Sequence, residues 1–496
     1  MKKTLLIITA FLVYISSASA QWSIDSLSTP NWGLTTTQNG SKAFFASSAA
    51  YEIYDFSNGT WSIKNMPVPR PSVSAATANG VSYFGGGGFI ATSSYNFFNN
   101  VDIYKSATSS WSTKTLSNAR IVGASAAVGN KVFFAGGRQI LNYSNRVDIF
   151  DVTTGVRTTH NLSQARTAMA VAVVGSKVIF AGGAAGNISN GIYTTSNKVD
   201  IYDDATGLWS TALLSTSREL ITAAVVGNKV LFAGGRNANG TYSKVIDIYD
   251  ASTNTWSTLN MSETKYGIAA ATSGSKVYLA GGTISNSGAL TNRVEIYDAT
   301  TNTISYISIS SPRMNMAVAQ TPQRILFAGG NVTWGNVGTN RIEVLDLTTY
   351  TWSVEYLSRP RIYMAAVSYG NKAMFAGGAE VLSSYPVYSI ISKRVDIWTD
   401  SFPFARKEGE GKPQVISANS ISVFPNPFTN TVSFQIPEEN IPAVVSVFDV
   451  SGRLVRRTEM NEAGSVLNFS DLNNGIYLMQ FETDGKINKV IKVLKQ

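Results

Sequence analysis

Cysteine is absent from this 496-residue sequence, which excludes thiol nucleophiles, disulfide bonds and cysteine-ligated metals. Histidine occurs once, at His160, so a histidine-rich metal site or a Ser-His-Asp triad would depend on that single residue. Charged residues make up only 14% of the chain, and the net charge of +9 includes no extended run of lysines or arginines. That pattern argues against a nucleic-acid partner. The sequence therefore gives us no catalytic residue, no metal ligand and no cofactor to assign.

The first 20 residues have the features of a secretory signal peptide. Lys2 and Lys3 are followed by an apolar stretch and then by the small residues Ala18, Ser19 and Ala20. The apolar stretch is too short for a membrane span, and no later segment is long and apolar enough to be one. We predict a signal peptide at residues 1–20 and an exported mature protein without a transmembrane segment.

One short pattern, an aromatic or aliphatic residue followed by Ala-Gly-Gly, recurs about every 50 residues along most of the chain. The clear copies begin at Phe134, Phe180, Phe232, Leu279, Phe327 and Phe375, a looser copy begins at Phe84, and a degenerate copy begins at Phe45. A repeat of this length predicts a fold of similar units, none of which can bury its apolar face alone.

Each repeat contains four short segments, named a to d, that have the composition of β-strands. Examples are Arg120–Ala127 for a, Lys131–Phe134 for b, Val147–Phe150 for c and Thr255–Leu259 for d. β-branched and aromatic residues dominate these segments, and Gly, Asn, Ser and Thr turns separate them. We predict an all-β fold with four strands per repeat. We expect the tryptophan of segment d to pack between neighbouring sheets.

The order of these features resembles the kelch repeat, in which paired glycines are followed by Tyr-Asp and then by Trp. The pattern is present in Tyr249-Asp250 with Trp256, in Tyr202-Asp203 with Trp209 and in Tyr54-Asp55 with Trp61. The departures are Arg157 and Ile304 at tryptophan positions and Leu345 in place of tyrosine. The resemblance covers residues 21–400 and implies a kelch-type β-propeller, with four-stranded blades around a central channel. Kelch-type channels can hold ions through backbone carbonyls, which a sequence does not reveal.

The number of blades follows from counting the segments. Segments b and c each occur eight times, but d follows c only seven times, because Trp398 leads into Phe402-Pro403. The missing strand is at the other end of the chain, where Gln21–Leu27 has the pattern of an isolated d segment. We predict that it completes the last blade and closes the ring, which removes two open sheet edges. The prediction is eight blades, with seven as the alternative if the degenerate first copy forms no blade.

The repeat ends near residue 400. Residues 401–419 are charged and Gly-rich and are predicted to be a linker, and residues 420–496 contain short strands that suggest a small β-sandwich. This last segment resembles the type A C-terminal sorting domain of the type IX secretion system of Bacteroidetes. The matching residues are Pro425, Asn426, Pro427, Gly452, Arg453, Gly475 and Tyr477. The resemblance implies export through the type IX machinery, which would be a partner. The alternative is an accessory sandwich that binds a ligand.

An antiparallel meander would place the b–c and d–a connections on one face, which we call the loop face. The b–c connections vary in length and are rich in Tyr, Asn, Ser and Gly, a composition typical of binding loops. A cation begins segment a in seven repeats: Arg70, Arg120, Arg166, Arg218, Lys265, Arg313 and Arg361. These are candidate ligand-binding residues, because cations around a channel mouth would suit an anionic ligand. The alternative is a structural role, since segment c supplies one acid per repeat: Asp102, Asp148, Asp200, Asp247, Glu295, Glu343 and Asp396.

These features predict a secreted or cell-surface binding or adhesion protein. It would recognise an unknown extracellular protein or carbohydrate through the loop face. The alternative is a carbohydrate-active enzyme of the mutarotase or lyase type, with an Arg, Tyr and carboxylate site at the channel mouth. That chemistry needs neither cysteine nor histidine. Kelch-type copper radical oxidases need both, so the composition excludes them.

Overall fold

The computed structural model describes residues 21–400 except 32, 91–94, 334–336 and 385–386. It also describes residues 422–424, 430–435, 441–449, 453–461, 464–483 and 486–495. The chain divides into two compact units, Met1–Phe402 and Pro403–Gln496, which are described separately. The predicted signal peptide at residues 1–20 and the predicted linker at residues 401–419 lie outside the described residues.

Eight four-stranded antiparallel sheets form the described part of the first unit, and the leading strand β1 (Gln21–Ser26) belongs to the last of them. Sheet 1 contains β2 (Thr35–Asn39), β3 (Lys42–Ala46), β4 (Ala50–Asp55) and β5 (Thr60–Asn65). Sheet 2 contains β6 (Ser74–Ala78), β7 (Val81–Gly85), β10 (Asn100–Lys105) and β11 (Ser110–Thr115). Sheet 3 contains β12 (Ala124–Val128), β13 (Lys131–Arg138), β14 (Tyr143–Asp151) and β15 (Arg157–Asn161). Sheet 4 contains β16 (Ala170–Val174), β17 (Lys177–Ala181), β20 (Lys198–Asp203) and β21 (Leu208–Leu213).

The remaining sheets follow the same order of strands a to d. Sheet 5 contains β22 (Thr222–Val226), β23 (Lys229–Ala233), β24 (Val245–Asp250) and β25 (Thr255–Asn260). Sheet 6 contains β26 (Ala269–Ser273), β27 (Lys276–Ala280), β28 (Arg293–Asp298) and β29 (Thr303–Ser308). Sheet 7 contains β30 (Ala317–Gln320), β31 (Arg324–Ala328), β32 (Thr339–Asp346) and β33 (Trp352–Arg361). Sheet 8 contains β34 (Ala365–Tyr369), β35 (Lys372–Ala376), β38 (Arg394–Thr399) and β1.

Three b–c connections form extra two-stranded hairpins that the sequence pattern did not predict as strands. The hairpins are β8 (Gly88–Ile90) with β9 (Tyr95–Phe97), β18 (Ala184–Asn187) with β19 (Ile192–Thr195), and β36 (Ala379–Ser384) with β37 (Val387–Ile391). Among the described residues the one helical element is a short 3-10 turn, Ser106–Thr108, between strands c and d of sheet 2. No helix in the described part of the chain has the length and apolarity of a membrane span.

The ring of sheets is closed by the two ends of the first unit. Strand β1 pairs antiparallel with β38, and Trp22 lies opposite Trp398. Trp398 is almost fully buried as a result. The a strands contact one another in order around the ring, and β34 of sheet 8 contacts β2 of sheet 1. The predicted pairing of the leading strand with the last sheet is therefore confirmed, and strand 394–399 is not left as an open edge.

The core lies between neighbouring sheets rather than within one. Strand b is buried almost throughout because both faces of each sheet are covered, as in β17, where Val178 to Ala181 have no exposed surface. Trp209 of sheet 4 stacks on His160 of sheet 3 with ring centroids 4.3 Å apart, and it lies 6.4 Å from Phe133. The prediction that the tryptophan of strand d packs between sheets is confirmed at this position.

The paired glycines that end strand b allow close contact with the next connection. Gly136 and Gly137 both have positive φ, and a Cβ atom on Gly137 would clash with the Ile121 carbonyl. The Gly137 N–H donates to the Arg166 carbonyl at 2.9 Å, so the end of sheet 3 binds the connection that leads into sheet 4. A side chain on Gly136 would clash with the Arg166 carbonyl of that connection, and a side chain on Gly137 would clash with the connection that enters sheet 3 itself.

The second unit contains two sheets that share one apolar core. The first sheet has the order β39 (Ser422–Phe424), β40 (Thr431–Gln435) and β43 (Gly464–Asn468). The second sheet has the order β42 (Leu454–Met460), β41 (Ala443–Asp449), β44 (Gly475–Thr483) and β45 (Lys486–Lys495). Val432 from the first sheet packs with Val445 and Phe481 from the second, as in a small β-sandwich.

The predicted sorting-motif residues are only partly described. Arg453 donates from Nε to the Asp449 carboxylate at 3.1 Å, which closes the turn between β41 and β42. Tyr477 is buried at the start of β44, where Gly475 begins the strand, and its hydroxyl donates to the Asn473 carbonyl at 2.8 Å. Pro425, Asn426, Pro427 and Gly452 lie outside the described residues.

Candidate functional site

All seven cations that begin segment a lie directly beneath the loop face and have no exposed surface. Each pairs with the acid of strand c in its own sheet. The pairs are Arg70–Asp102, Arg120–Asp148, Arg166–Asp200, Arg218–Asp247, Lys265–Glu295, Arg313–Glu343 and Arg361–Asp396. The sequence has one cation at the start of segment a and one acid in segment c of each of these repeats. In the structure these two residues form a buried ion pair.

Arg120 illustrates how one of these guanidinium groups is held. Its Nε donates to the Gly136 carbonyl at 2.9 Å, and its Nη2 donates to the Phe134 carbonyl at 3.0 Å. Nη2 also lies 2.9 Å from an Asp148 carboxylate oxygen and 3.4 Å from the carbonyl of Arg146. The side chain thus joins strands b and c of sheet 3 to the connection that enters the sheet. A planar guanidinium suits this set of acceptors, because its donors diverge in one plane.

A serine three residues before the cation completes the arrangement, and sequence reasoning missed it. Ser163 donates to Asp200 from its N–H at 2.8 Å and from its hydroxyl at 3.1 Å. Because this serine follows strand d of the preceding sheet, it ties that sheet to the next one. Equivalent contacts bind Ser117 to Asp148, Ser215 to Asp247, Ser262 to Glu295, Ser310 to Glu343 and Ser358 to Asp396. We call the serine, cation and acid of one sheet a clasp.

Sheet 2 achieves the same result with a different donor. Pro67 replaces the serine in the connection that enters this sheet. The hydroxyl of Tyr51, from strand c of sheet 1, donates to Asp102 at 2.5 Å instead. Burial raises the pKa of Tyr51 far above its ordinary value, so the hydroxyl keeps its proton and remains a donor. The acid of sheet 2 is therefore also tied to the preceding sheet.

The clasps leave the seven cations no surface for a ligand. Burial lowers the pKa of the Arg166 guanidinium, and the charge of Asp200 opposes that shift. An anionic ligand would have to displace a buried carboxylate from each cation to reach it, and each displaced carboxylate would stay buried without its counter-ion. The geometry supports the structural interpretation of this set over the ligand-binding interpretation.

Above the clasps, the loop face carries exposed apolar side chains. Ten such residues of the described chain lie in b–c or d–a connections: Phe89, Tyr95, Ile140, Leu141, Ile192, Tyr193, Leu220, Tyr363, Ile390 and Ile391. Tyr95, Ile140 and Leu141 line one open cavity of about 410 Å³ between sheets 2 and 3. The hairpin of sheet 4 continues this surface, since the Ser189 N–H donates to the Leu141 carbonyl at 3.1 Å. We call this surface, across sheets 2 to 4, the apolar patch.

A polar cluster lies beside the apolar patch, where sheets 4, 5 and 6 meet. Arg236 donates to the Glu219 carboxylate from Nε at 2.9 Å and from Nη2 at 2.5 Å. The Tyr193 hydroxyl lies 3.5 Å from Arg236, and the rings of Tyr242 and Tyr266 form an edge contact at 4.8 Å. Burial raises the pKa of Tyr193 to about 12, and the Glu219 carboxylate contributes to the increase. An Arg, a Tyr and a carboxylate do converge here, but the carboxylate is already paired and the tyrosine is a weak acid.

The central channel offers a different environment. A cavity of about 500 Å³ is lined by the a strands of sheets 1, 5, 6, 7 and 8. Its described lining residues are Thr, Gln, Ala, Val and Ser, among them Thr37, Ala224 and Gln320. None of these side chains titrates in the ordinary pH range. No group of three or more His, Asp or Glu residues in the described part of the chain is arranged to hold a metal ion.

Two family models match parts of the chain. The model described as the KLHDC2/KLHL20/DRC7 Kelch-repeats domain matches residues 168–378, and the model described as the Secretion system C-terminal sorting domain matches residues 422–496. Among solved structures, one titled "Structure of YjhT" is similar over 66% of this chain and 95% of that chain. It has 16% sequence identity and a TM-score of 0.40. None of the curated proteins matches the chain.

Proposed function

We propose that this chain, a secreted kelch-repeat propeller with a C-terminal sorting domain, recognises an extracellular protein or carbohydrate through its loop face. The family matches confirm the kelch repeats and the sorting domain that the sequence predicts. The sorting domain implies the secretion machinery as a partner and export from the cell or onto its surface. The binding role, its ligand and the face that carries it are our inference.

The observation that carries the proposal is the apolar patch. Tyr95 and Tyr193 are about half exposed, at 48% and 43%, and Leu141 is 57% exposed. Large apolar side chains grouped on connecting loops cost solvation free energy in the free protein, and such groups commonly mark interaction surfaces. Tyrosine and arginine next to one another add ring faces, hydroxyls and a planar cation, which bind both sugars and protein side chains. Each of the seven buried cations below this face is in an ion pair.

Backbone geometry also supports the loop face. The residue two positions after the cation has a left-handed φ in several connections, including 52° at Leu220 and 55° at Tyr363. Such a conformation costs about 1 kcal/mol or more for a residue with a large side chain. The bend places Leu220 and Tyr363 at the surface, 41% and 37% exposed. Strained residues with exposed side chains are commoner at binding sites than elsewhere.

The enzymatic alternative rests on the cluster of Tyr193, Arg236 and Glu219. General acid–base catalysis near neutral pH needs a group whose pKa lies near that pH. The pKa of Tyr193 is raised to about 12, and the two shorter hydrogen bonds from Arg236 go to Glu219, while its 3.5 Å hydrogen bond goes to the Tyr193 hydroxyl. These properties suit a fixed recognition surface better than a proton-transfer site, so binding is the function that we favour.

The test is a ligand screen with the full chain on glycan arrays and on extracellular matrix and cell-surface protein arrays. A triple variant, Tyr95→Ala, Leu141→Ser and Tyr193→Ala, should lose at least tenfold in affinity for any hit. The control is Ile63→Ser with Leu213→Ser, which removes exposed apolar residues from d strands. Equal losses in both variants, or unchanged binding in the triple variant, would refute the loop face as the binding surface. Turnover of an acidic polysaccharide that requires Tyr193 would favour the enzyme.

A further inference from the structure

Sheet 1 is the one sheet whose clasp has no cation among the described residues. Asn31 stands where the other seven sheets have Arg or Lys. The equivalence is structural: the Gly378 N–H donates to the Asn31 carbonyl at 2.8 Å, just as the Gly137 N–H donates to the Arg166 carbonyl at 2.9 Å. Asparagine is too short and carries no charge, so it cannot repeat the contacts of an arginine side chain.

The acid and the serine of this clasp are nevertheless in place. Glu52 of strand c is 2% exposed, and its Oε2 accepts a hydrogen bond from the Ser28 N–H at 2.6 Å. Its other oxygen, Oε1, is buried and has no hydrogen-bond partner among the described residues. A buried carboxylate oxygen without a donor is costly, and such groups are rare in folded proteins. In sheets 2 to 8 the carboxylate at this position is paired with a cation. In sheet 1 the carboxylate is present, but no cation among the described residues pairs with it.

The backbone acceptors of the other clasps have equivalents here as well. Arg120 binds the carbonyls of Phe134 and Gly136, whose equivalents in sheet 1 are those of Phe45 and Ser47. The Ser47 hydroxyl donates to the Ala50 carbonyl at 2.9 Å, which is the equivalent of the Arg146 carbonyl near Arg120, and it donates neither to Glu52 nor to the Phe45 carbonyl. We call this group, made of Glu52 and the carbonyls of Phe45 and Ser47, the sheet 1 cradle.

An open cavity of about 410 Å³ on the loop face adjoins the cradle at Ser47, whereas Glu52 is not part of the cavity lining and is 2% exposed. Asn31 and Ser47 line the cavity, and so do Pro71 from the next sheet and Ile391 from the hairpin of sheet 8. Asn31 is at the position of the cation, such as Arg120 in sheet 3. Ser47 is at the position of Gly136, whose carbonyl accepts the Nε–H of Arg120. The b–c connection of sheet 1 is only three residues, Ser47 to Ala49, so no hairpin covers this point.

We propose that the sheet 1 cradle binds the guanidinium group of an arginine-bearing ligand that approaches from the loop face. In six of the other sheets an arginine pairs with the equivalent acid and donates to at least one of the two equivalent carbonyls, and Arg70, Arg120 and Arg361 donate to both. In sheet 6, where Lys265 supplies an ammonium group, the nearest carboxylate oxygen is 3.4 Å away and Nζ has no hydrogen-bond partner among the described residues, whereas each arginine keeps at least one hydrogen bond to a carbonyl even where others of its nitrogens have none. A guanidinium therefore fits the cradle better than an ammonium does. This inference rests on the proposed function only in placing a ligand on the loop face.

The first test uses thermal unfolding of the full chain with N-acetyl-L-arginine amide. A ligand that binds only the folded state raises the melting temperature in a saturable way. We expect such a rise for the wild type, a smaller rise with the matching lysine amide, and none with the citrulline amide, which has the same shape but no charge. The Glu52→Gln variant should lose the response to arginine. An unsaturable response, or equal responses to arginine and citrulline amides, would overturn the proposal.

The second test supplies the guanidinium from within the chain. Asn31→Arg should place its own side chain in the cradle, raise the melting temperature by about 2–4 °C and abolish the response to arginine amide. The same substitution in the Glu52→Gln background should give no rise. An Asn31→Arg protein that is folded, no more stable and still responsive to arginine amide would refute the site. Because neither test needs the natural partner, both can succeed even if the ligand screen on the apolar patch fails.

The source of the guanidinium can be distinguished with the same assay. A capped peptide, Gly-Ser-Arg-Ser-Gly, presents arginine as a polypeptide partner would. A larger shift with the peptide than with arginine amide would assign the site to a protein ligand, since flanking residues would contact Pro71 and Ile391 at the rim. Equal shifts would assign it to a small guanidinium compound.

Discussion

Sheet 1 and the other seven sheets share one architecture but differ beneath the loop face. In sheets 2 to 8 a buried cation pairs with the acid of strand c, and in all of these except sheet 6 it also donates to a carbonyl at the end of strand b, as Arg120 does. In sheet 1 the acid Glu52 is present and the cation is replaced by Asn31. Sheet 1 is also adjacent to the seam where β1 completes sheet 8. Every sheet therefore has an acid tied to the preceding sheet, whereas the cation is absent from sheet 1.

The comparison also explains how a ring without disulfides holds its sheets together. Each clasp joins three segments: the connection from the preceding sheet, strand b and strand c. A buried ion pair is not in itself a strong source of stability, because desolvation offsets the attraction. Its effect here is geometric, since an acid bound by Ser163 and Arg166 at once can lie in only one position relative to both sheets. The apolar core between sheets then forms against a fixed frame.

The largest effect should come from opening the seam. A chain that begins at residue 27 instead of residue 21 lacks β1, so Trp398 would be exposed and strand 394–399 would become an open edge. We expect a loss of more than about 5 kcal/mol in unfolding free energy, or a sheet 8 that is unfolded. Denaturant unfolding and proteolysis near sheet 8 measure this. Ile24→Ser, at a 60% exposed position of the same strand, is the control and should change stability by less than about 0.5 kcal/mol. A truncated chain as stable as the control would show that β1 does not close the ring.

The next largest effect should come from making another sheet resemble sheet 1. Arg120→Ala removes the cation of sheet 3 and leaves Asp148 buried without its partner, which should cost about 3–5 kcal/mol. The control in the same sheet is Lys131→Ala, which breaks a partly exposed ion pair with Asp204 and should cost less than about 1 kcal/mol. Chemical denaturation of both variants checks the difference. Similar losses in the two would mean that burial of the pair does not matter.

A smaller effect should follow from the serine of the clasp. Ser163→Ala removes the hydroxyl that donates to Asp200 at 3.1 Å but keeps the N–H that donates at 2.8 Å. We expect a loss of about 1.5 kcal/mol, the lower end of the range for a hydrogen bond to a charged group. Thermal unfolding measures it. A loss as large as that of Arg120→Ala would assign the serine, and not the cation, the main role in the clasp.

The smallest effect concerns sheet 3, which has Arg157 where most d strands carry tryptophan. Its His160 stacks on Trp209, and burial lowers the pKa of His160 below its ordinary 6.5. The folded state therefore favours the neutral ring. The stabilisation is complete above pH 6.5, the ordinary pKa, and is lost as the pH falls from there through the lower pKa of the folded state. NMR titration of this single histidine should give a pKa below 6.5, and His160→Gln should remove a small decrease in melting temperature between pH 7.5 and 5. A pKa at or above 6.5 would contradict the burial of this ring.

Much of the fold could be predicted from the sequence because it is repetitive. The β-branched and aromatic residues of segment b and the alternation of apolar and acidic residues in segment c indicated strands in every copy, and the isolated segment containing Trp22 identified the seam. The register of Arg166 with Asp200 also suggested the ion pairs. The hairpin of β18 and β19 was not predicted, because its Asn-, Ser- and Gly-rich sequence has no strand periodicity.

The parts of the site that could not be predicted depend on contacts between sheets. Ser163 is an ordinary serine in a connection until the structure places it on the acid of the next sheet. The contact of Tyr193 with Arg236 joins residues 43 positions apart in two different sheets. The role of Asn31 becomes visible only when its backbone is shown to match that of the arginines. Repeats reveal what the copies share, whereas a site made by one deviating copy needs coordinates.

The central claim is that the buried cations hold the ring and do not bind a ligand, and a double-mutant cycle at Arg166 and Asp200 tests it most directly. Denaturant unfolding of Arg166→Met, Asp200→Leu and the double variant gives the coupling between the two side chains. We predict a loss of about 3–5 kcal/mol for each single variant and a much smaller loss for the double variant than their sum. Additive losses near zero, together with weaker retention of Arg166→Met than of wild type on an acidic polysaccharide column, would contradict the account.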